Sequence, residues 1–138
     1  MVCIYCKNNT FVTNSRTKDN NQTWRRRKCL VCNASFTSIE EIIYDKYILI
    51  ASDKKLYKFT KEQLFLDIYS CIGHLKNHDR VSIAKYISDI VIKNINKNIN
   101  KGLIDLVTYQ EIIFKTLKRF NNVAGIHYKA YFIDQKNG

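Results

Sequence analysis

Two Cys-x-x-Cys pairs, Cys3/Cys6 and Cys29/Cys32, constrain what this chain can fold into more than any other feature. A two-residue gap lets one tight turn present two sulfurs to the same point, and 22 residues lie between the pairs. Two facing turns of this kind close a tetrahedron of thiolates at Zn–S distances of about 2.3 Å. With all four positions filled by protein, no coordination site is left for water or substrate, so the spacing predicts one structural zinc per chain. A disulfide pairing is the competing use of these thiols. Nothing ahead of Cys3 reads as a secretory leader, so a reducing compartment is expected and reduced thiols with it. A thioredoxin-type redox pair is disfavoured, because neither pair follows a strand in a βαβ pattern. The fifth cysteine, Cys71, falls in an apolar helical stripe and reads as a small core residue.

The second pair ends the run Trp24-Arg25-Arg26-Arg27-Lys28-Cys29. Residues 1–38 carry Lys7, Arg16, Lys18 and the four cations of that run against Asp19 alone, in a chain of net charge +11 and pI ≈ 9.5. Positive charge concentrated on a metal-braced module is the electrostatic footprint of nucleic-acid binding. On a strand, Arg25, Arg26, Arg27 and Lys28 alternate between the two faces, so about half of them can meet DNA. Arg16 and Lys18 extend the patch from the neighbouring strand and turn. Trp24 has two readings, a ring stacked against the nucleic acid or a hydrophobic plug for a ribbon with little other core. Phe11–Thr13, Arg25–Lys28 and Ser35–Ser38 are the strand candidates of this module, with a polar turn over 17–23 and a connector over 40–46.

From Tyr47 onward the periodicity becomes helical. Tyr47–Ile50 and Leu56–Phe59 read as a hairpin over the turn Ser52-Asp53-Lys54-Lys55. Thr60-x-x-Gln63 opens a helix with Leu64, Ile68, Cys71, Ile72 and Leu75 on one face. A second helix over about 81–99 presents Ile83, Ile87, Ile90, Val91 and Ile95. Leu103–Val107 is a third strand candidate, Thr108-x-x-Glu111 opens another helix carrying Tyr109, Ile112, Ile113, Leu117 and Phe120, and a last segment covers 123–132. Stripes of this kind are core. His74 and His78 stand four apart, which is metal-ligand spacing on a helix, but no third ligand accompanies them. No nucleophile–base arrangement and no Gly-rich phosphate loop is present, so the chain does not read as an enzyme. No apolar run approaches the roughly 20 residues that span a bilayer. The expectation is a cytoplasmic protein without a membrane partner.

The order of parts resembles the NrdR family, bacterial transcriptional repressors of ribonucleotide reductase genes. The residues that carry the likeness are Cys3, Cys6, Ser15-Arg16, Arg25-Arg26-Arg27, Cys29-Leu30-Val31-Cys32-Asn33, Phe36-Thr37 and Glu40. The resemblance implies an α+β chain in two parts. Residues 1–46 would be a DNA-binding zinc ribbon with its connector. Residues 47–138 would be an ATP-cone-like regulatory and oligomerisation domain, a mainly α bundle under a β-hairpin cap. It further implies a homo-oligomer on paired boxes of double-stranded DNA, with ATP or dATP setting the assembly. Lys54, Lys55, Lys58, Phe59 and Phe132 are the positions where the cone would meet nucleotide. The chain departs from the family pattern there, with Ala51 where the family places a Lys, Gln63 where another Lys is usual, and an altered last helix around Val123–Ile133. The alternative is a DNA-binding or protein-interaction module whose degenerate cone has lost nucleotide and acts on other targets.

Overall fold

The computed structural model describes residues 1–76 and 78–137; Asn77 and Gly138 lie outside them. The chain is α+β and divides into two compact units, Met1–Ile42 and Ile43–Gly138.

The first unit is a three-stranded antiparallel sheet in the order β1-β2-β3, with β1 over Thr10–Thr17, β2 over Thr23–Cys29 and β3 over Ser35–Glu40. β1 runs four residues beyond the predicted Thr13 because pairing to β2 continues to Thr17↔Thr23, and a bulge sits between Val12 and Asn14. The polar stretch Lys18–Gln22 turns the hairpin. Asn21 takes a left-handed φ of 61° there, a conformation asparagine tolerates. Only Cys3 and Cys29 are buried in this unit. With so little buried, its fold depends on what the two cysteine turns hold.

The second unit has a conventional core. β4 (Leu49–Ala51) is flanked by antiparallel β5 (Leu56–Lys58) and parallel β6 (Leu103–Asp105). Four helices follow the pattern read from sequence: α1 (Lys61–Cys71), α2 (Arg80–Asn98), α3 (Leu106–Phe120) and α4 (Asn122–Tyr128). Leu64, Ile68, Cys71 and Ile72 from the α1 segment, Ile87, Val91, Ile92 and Ile95 from α2, and Tyr109, Ile113 and Leu117 from α3 are buried together. Ile83, expected in that core, is only packed at its margin. Tyr44, in a 3-10 turn within the stretch read as a connector, is buried in the same core.

Caps set the helix ends. Thr60 caps α1 as expected, its hydroxyl accepting from the Gln63 N–H at 3.1 Å. The start of α3 differs from the sequence reading. Asp105, not Thr108, is the cap; its carboxylate accepts from the Thr108 N–H (3.3 Å) and hydroxyl (2.6 Å). The predicted strand over 103–107 therefore stops at Asp105. Aspartate outcompetes threonine here because a charged acceptor holds the N-terminal donors more strongly. After α4 the chain winds more loosely over Lys129–Ile133.

Two glycines are required by contacts. Gly102 sits at φ 78°, its carbonyl accepts from the Leu49 N–H, and a Cβ there would stand 2.6 Å from the Tyr47 carbonyl oxygen. At Gly125 a Cβ would come 2.9 Å from Lys118 Cβ and 3.0 Å from its Cα, so the missing side chain is what lets α4 lie against α3.

Candidate metal centre and nucleic-acid interface

The four sulfurs predicted from spacing come together. Those of Cys3, Cys6, Cys29 and Cys32 all lie within 4.8 Å of one another. Cys3 and Cys32 sulfurs stand 3.7 Å apart and those of Cys6 and Cys29 3.4 Å. Sulfurs at the corners of a tetrahedron with bonds of about 2.3 Å are separated by nearly the same distance, so the donor set fits a zinc ion. Backbone N–H groups finish the turns: Tyr5 donates to Cys3 Sγ at 3.4 Å, Val31 to Cys29 Sγ at 3.3 Å, and Cys32 to Cys29 Sγ at 3.5 Å. The Asn8 side-chain amide donates to Cys6 Sγ at 3.4 Å and, with its backbone N–H, holds that thiol down to about 6. Cys32 behaves oppositely. The Ala34 N–H favours its thiolate, but burial and the three neighbouring sulfurs outweigh that and push it up to about 12. Among the described residues this is the only group of three or more His, Cys, Asp or Glu placed to hold a metal. His74 and His78 fall beyond the end of α1 and share no helical face. His74 Nε2 instead meets Asn121 Oδ1 at 3.1 Å, and its ring abuts that of His127, centroids 5.4 Å apart.

The basic run divides across the sheet. Pairing aligns Arg16, Trp24 and Ile39 in one cross-strand row and Asn14, Arg26 and Thr37 in the next, with Lys28 two residues further along β2 on the same face. Asn14, Arg16, Lys18, Trp24, Arg26 and Thr37 line a concavity of about 280 Å³. Trp24 does not plug a core: it is 39% exposed, with the Lys18 ammonium 5.0 Å over its ring. Arg26 Nη1 donates to Thr37 Oγ1 at 3.3 Å. Arg25 and Arg27 lie on the other face, each held across strands. Arg25 donates to Ser15 Oγ (3.1 Å) and pairs with Glu40 (3.4 Å), and Arg27 donates to Ser38 Oγ (3.1 Å) and Thr10 Oγ1 (3.4 Å). Sequence reasoning placed neither Asn14 nor Thr37 at the interface. The signal was present in the strand alternation opposite Arg26, but it needs the register, which the β1 bulge shifts by one residue.

In the second unit, Lys54, Lys55 and Lys58 are exposed on the β4–β5 hairpin. Phe59 is not: it is 1% exposed, its ring meeting Tyr44 and Tyr109 edge-on at 6.2 Å each. Phe132 is half-buried and stacks on Tyr128 at 4.9 Å, while its carbonyl accepts from the Gln110 side chain at 3.0 Å. Phe59 therefore acts as core.

Comparison with known proteins agrees with this geometry. The family model described as "Transcriptional repressor NrdR-like, N-terminal domain" matches residues 1–40, the whole cysteine-braced sheet. A protein of Prochlorococcus marinus subsp. pastoris named Transcriptional repressor NrdR is 30% identical over 137 residues, covering 96% of this chain and 82% of that protein. The chain belongs to the NrdR family. Proteins of the same name from Anaplasma phagocytophilum (28% identical, 97% of this chain and 87% of that protein) and Ehrlichia canis (26%, 99% and 89%) match over similar spans. The NrdR family is one of transcriptional repressors, regulators and not enzymes. Among the described residues no helix is long and apolar enough to cross a membrane.

Proposed function

We propose that this protein is a zinc-dependent, sequence-specific DNA-binding repressor, with Met1–Ile42 as the reading module and Ile43–Gly138 as the part that assembles copies. The observation that carries the reading is the single sheet face that gathers Arg16, Lys18, Trp24, Arg26 and Lys28 beside the four-cysteine cluster. Cys3, Cys6, Cys29 and Cys32 would hold the zinc, whose contribution is to fix the two cysteine turns and hence β2. Arginine forks serve phosphate or guanine edges and lysines serve phosphate, while Asn14 and Thr37 between them offer both donors and acceptors to base edges. Arg25 and Arg27, held on the opposite face, stiffen the sheet and add to its field.

One small ribbon is a narrow footprint, so useful affinity requires several ribbons on one DNA. The second unit supports that role by leaving Leu66, Val81, Tyr86 and Val107 exposed on its helices, each more than half open. Adenine nucleotide, ATP or dATP, is the proposed regulator of the assembly, approaching the hairpin at Lys54, Lys55 and Lys58.

The test is to incubate zinc-loaded protein with sheared genomic DNA and sequence what is retained, with ATP, with dATP and with neither. Enrichment of a few promoters carrying paired boxes is the expected result, and nucleotide dependence of that enrichment supports the regulatory half. Uniform recovery that vanishes at moderate salt would reduce the reading to phosphate attraction. Sedimentation showing a monomer at every concentration, with and without nucleotide, would remove the assembly role.

A further inference from the structure

The sheet concavity holds a feature that phosphate binding does not use. Trp24 is the chain's one tryptophan. Its indole N–H donates to Gln22 Oε1 at 3.0 Å; the same oxygen accepts from Asn20 Nδ2 at 3.0 Å, and Gln22 Nε2 donates to Glu41 Oε2 at 2.7 Å. A chain of bonds from the hairpin tip to the end of β3 thus locks the ring in place while leaving it 39% open. A large exposed aromatic held this firmly loses little freedom when a flat partner stacks on it. The concavity of about 280 Å³ falls just below the span of typical small-molecule sites, which run from about 300 Å³ upward. It suits a unit the size of one nucleotide.

The lining matches that unit part by part. Trp24 offers a π-face to a base, Asn14 and Thr37 offer donors and acceptors to its edge, and Arg16, Lys18 and Arg26 offer charge to the attached phosphate. Bases within a duplex present their edges and keep their faces stacked, so the π-face of Trp24 can meet a base face only where a base is unstacked. We propose that this cradle takes one unstacked nucleotide of the bound DNA, its base lying on Trp24 in place of the Lys18 ammonium, which then moves to the phosphate. The proposal rests on the DNA-binding reading and deepens it. The bound site contains or creates an unpaired base, and sequence preference at that position comes from stacking and from Asn14 and Thr37.

The experiment uses the zinc-loaded full chain and three labelled probes: a short single-stranded oligodeoxynucleotide, a sugar-phosphate oligomer of the same length lacking bases, and a duplex. Anisotropy reads affinity, and emission from the sole tryptophan reads the cradle directly. The expected result is binding of the base-bearing strand about 5- to 150-fold tighter than of the abasic one, the range that one base stacked on an aromatic side chain provides. Quenching of Trp24 should accompany the base-bearing strand only. Trp24→Ala should bring the ratio towards one and Trp24→Phe should keep part of it, zinc content confirming that both variants are folded. Equal affinity for the base-bearing and abasic strands, or binding without any change in Trp24 emission, overturns the cradle while duplex binding leaves the DNA reading intact. Failure to bind any of the three probes overturns both.

Discussion

Removing the metal should unfold one unit and spare the other. Met1–Ile42 buries two side chains, Cys3 and Cys29, and both belong to the four-sulfur cluster. A unit of about 40 residues cannot stand on hydrophobic burial and needs a metal, disulfide or partner. Structural zinc in isolated zinc-finger peptides contributes about 10–16 kcal/mol at neutral pH, and where no site pre-exists in the unfolded chain this is folding free energy. Whole domains have net stabilities of only about 5–15 kcal/mol, so losing the ion removes an amount as large as the ribbon can possess. Ile43–Gly138 loses nothing comparable, because Leu64, Ile68, Ile95, Ile113 and Leu117 are fully buried without any metal. Amide correlation spectra of the full chain before and after stoichiometric chelation test this. Dispersed signals from residues 10–40 should collapse, those of the helices should stay, and returned zinc should restore the spectrum. Cys29→Ser should reproduce the collapse in part. Strand signals that persist in verified zinc-free, reduced protein would refute the reasoning.

Three further outcomes follow from the geometry. Arg26→Ala should weaken DNA binding and lower the salt slope by about one unit, as loss of one phosphate contact does; anisotropy titrations over a salt series measure it, and Arg25→Ala, on the opposite face, should do less. Zinc uptake should weaken as pH falls, because thiolates bind the metal and protons compete for them. Cys6, held down to about 6, is still mainly thiolate at pH 7 and is protonated below about 6, so competition with a chelator across pH 5–8 should show proton release on binding. Gly125→Ala should destabilise the second unit by about 1–3 kcal/mol, the usual penalty for overpacking, because the new methyl meets Lys118 backbone and Cβ atoms within 3.0 Å. A chemical-denaturation midpoint unchanged from the native chain would contradict that packing.

Local spacing was enough for the metal centre and the family, because a Cys-x-x-Cys turn is built from adjacent residues and its chemistry travels with it. The helices were legible for a similar reason: Leu64/Ile68 and Ile113/Leu117 repeat at helical spacing and each is buried where that spacing puts it. Other features depended on what lies across a strand or across the core. That Asn14 and Arg16 share a face with Trp24 and Arg26 was decided by a bulge in β1, since a shift of one residue exchanges the faces of a strand. Trp24, readable as core or contact, stands 39% exposed with the Lys18 ammonium over its ring, a placement that strand spacing alone does not give. Phe59 was drawn inward between Tyr44 and Tyr109, residues 15 behind and 50 ahead of it in the chain. The sequence alone determined the paired cysteine turns, the charge and the helical stripes, all of which come from neighbours along the chain. Only the tertiary structure decided which basic side chains share a face of the sheet and which aromatic rings are left open, because those depend on contacts between residues far apart in sequence.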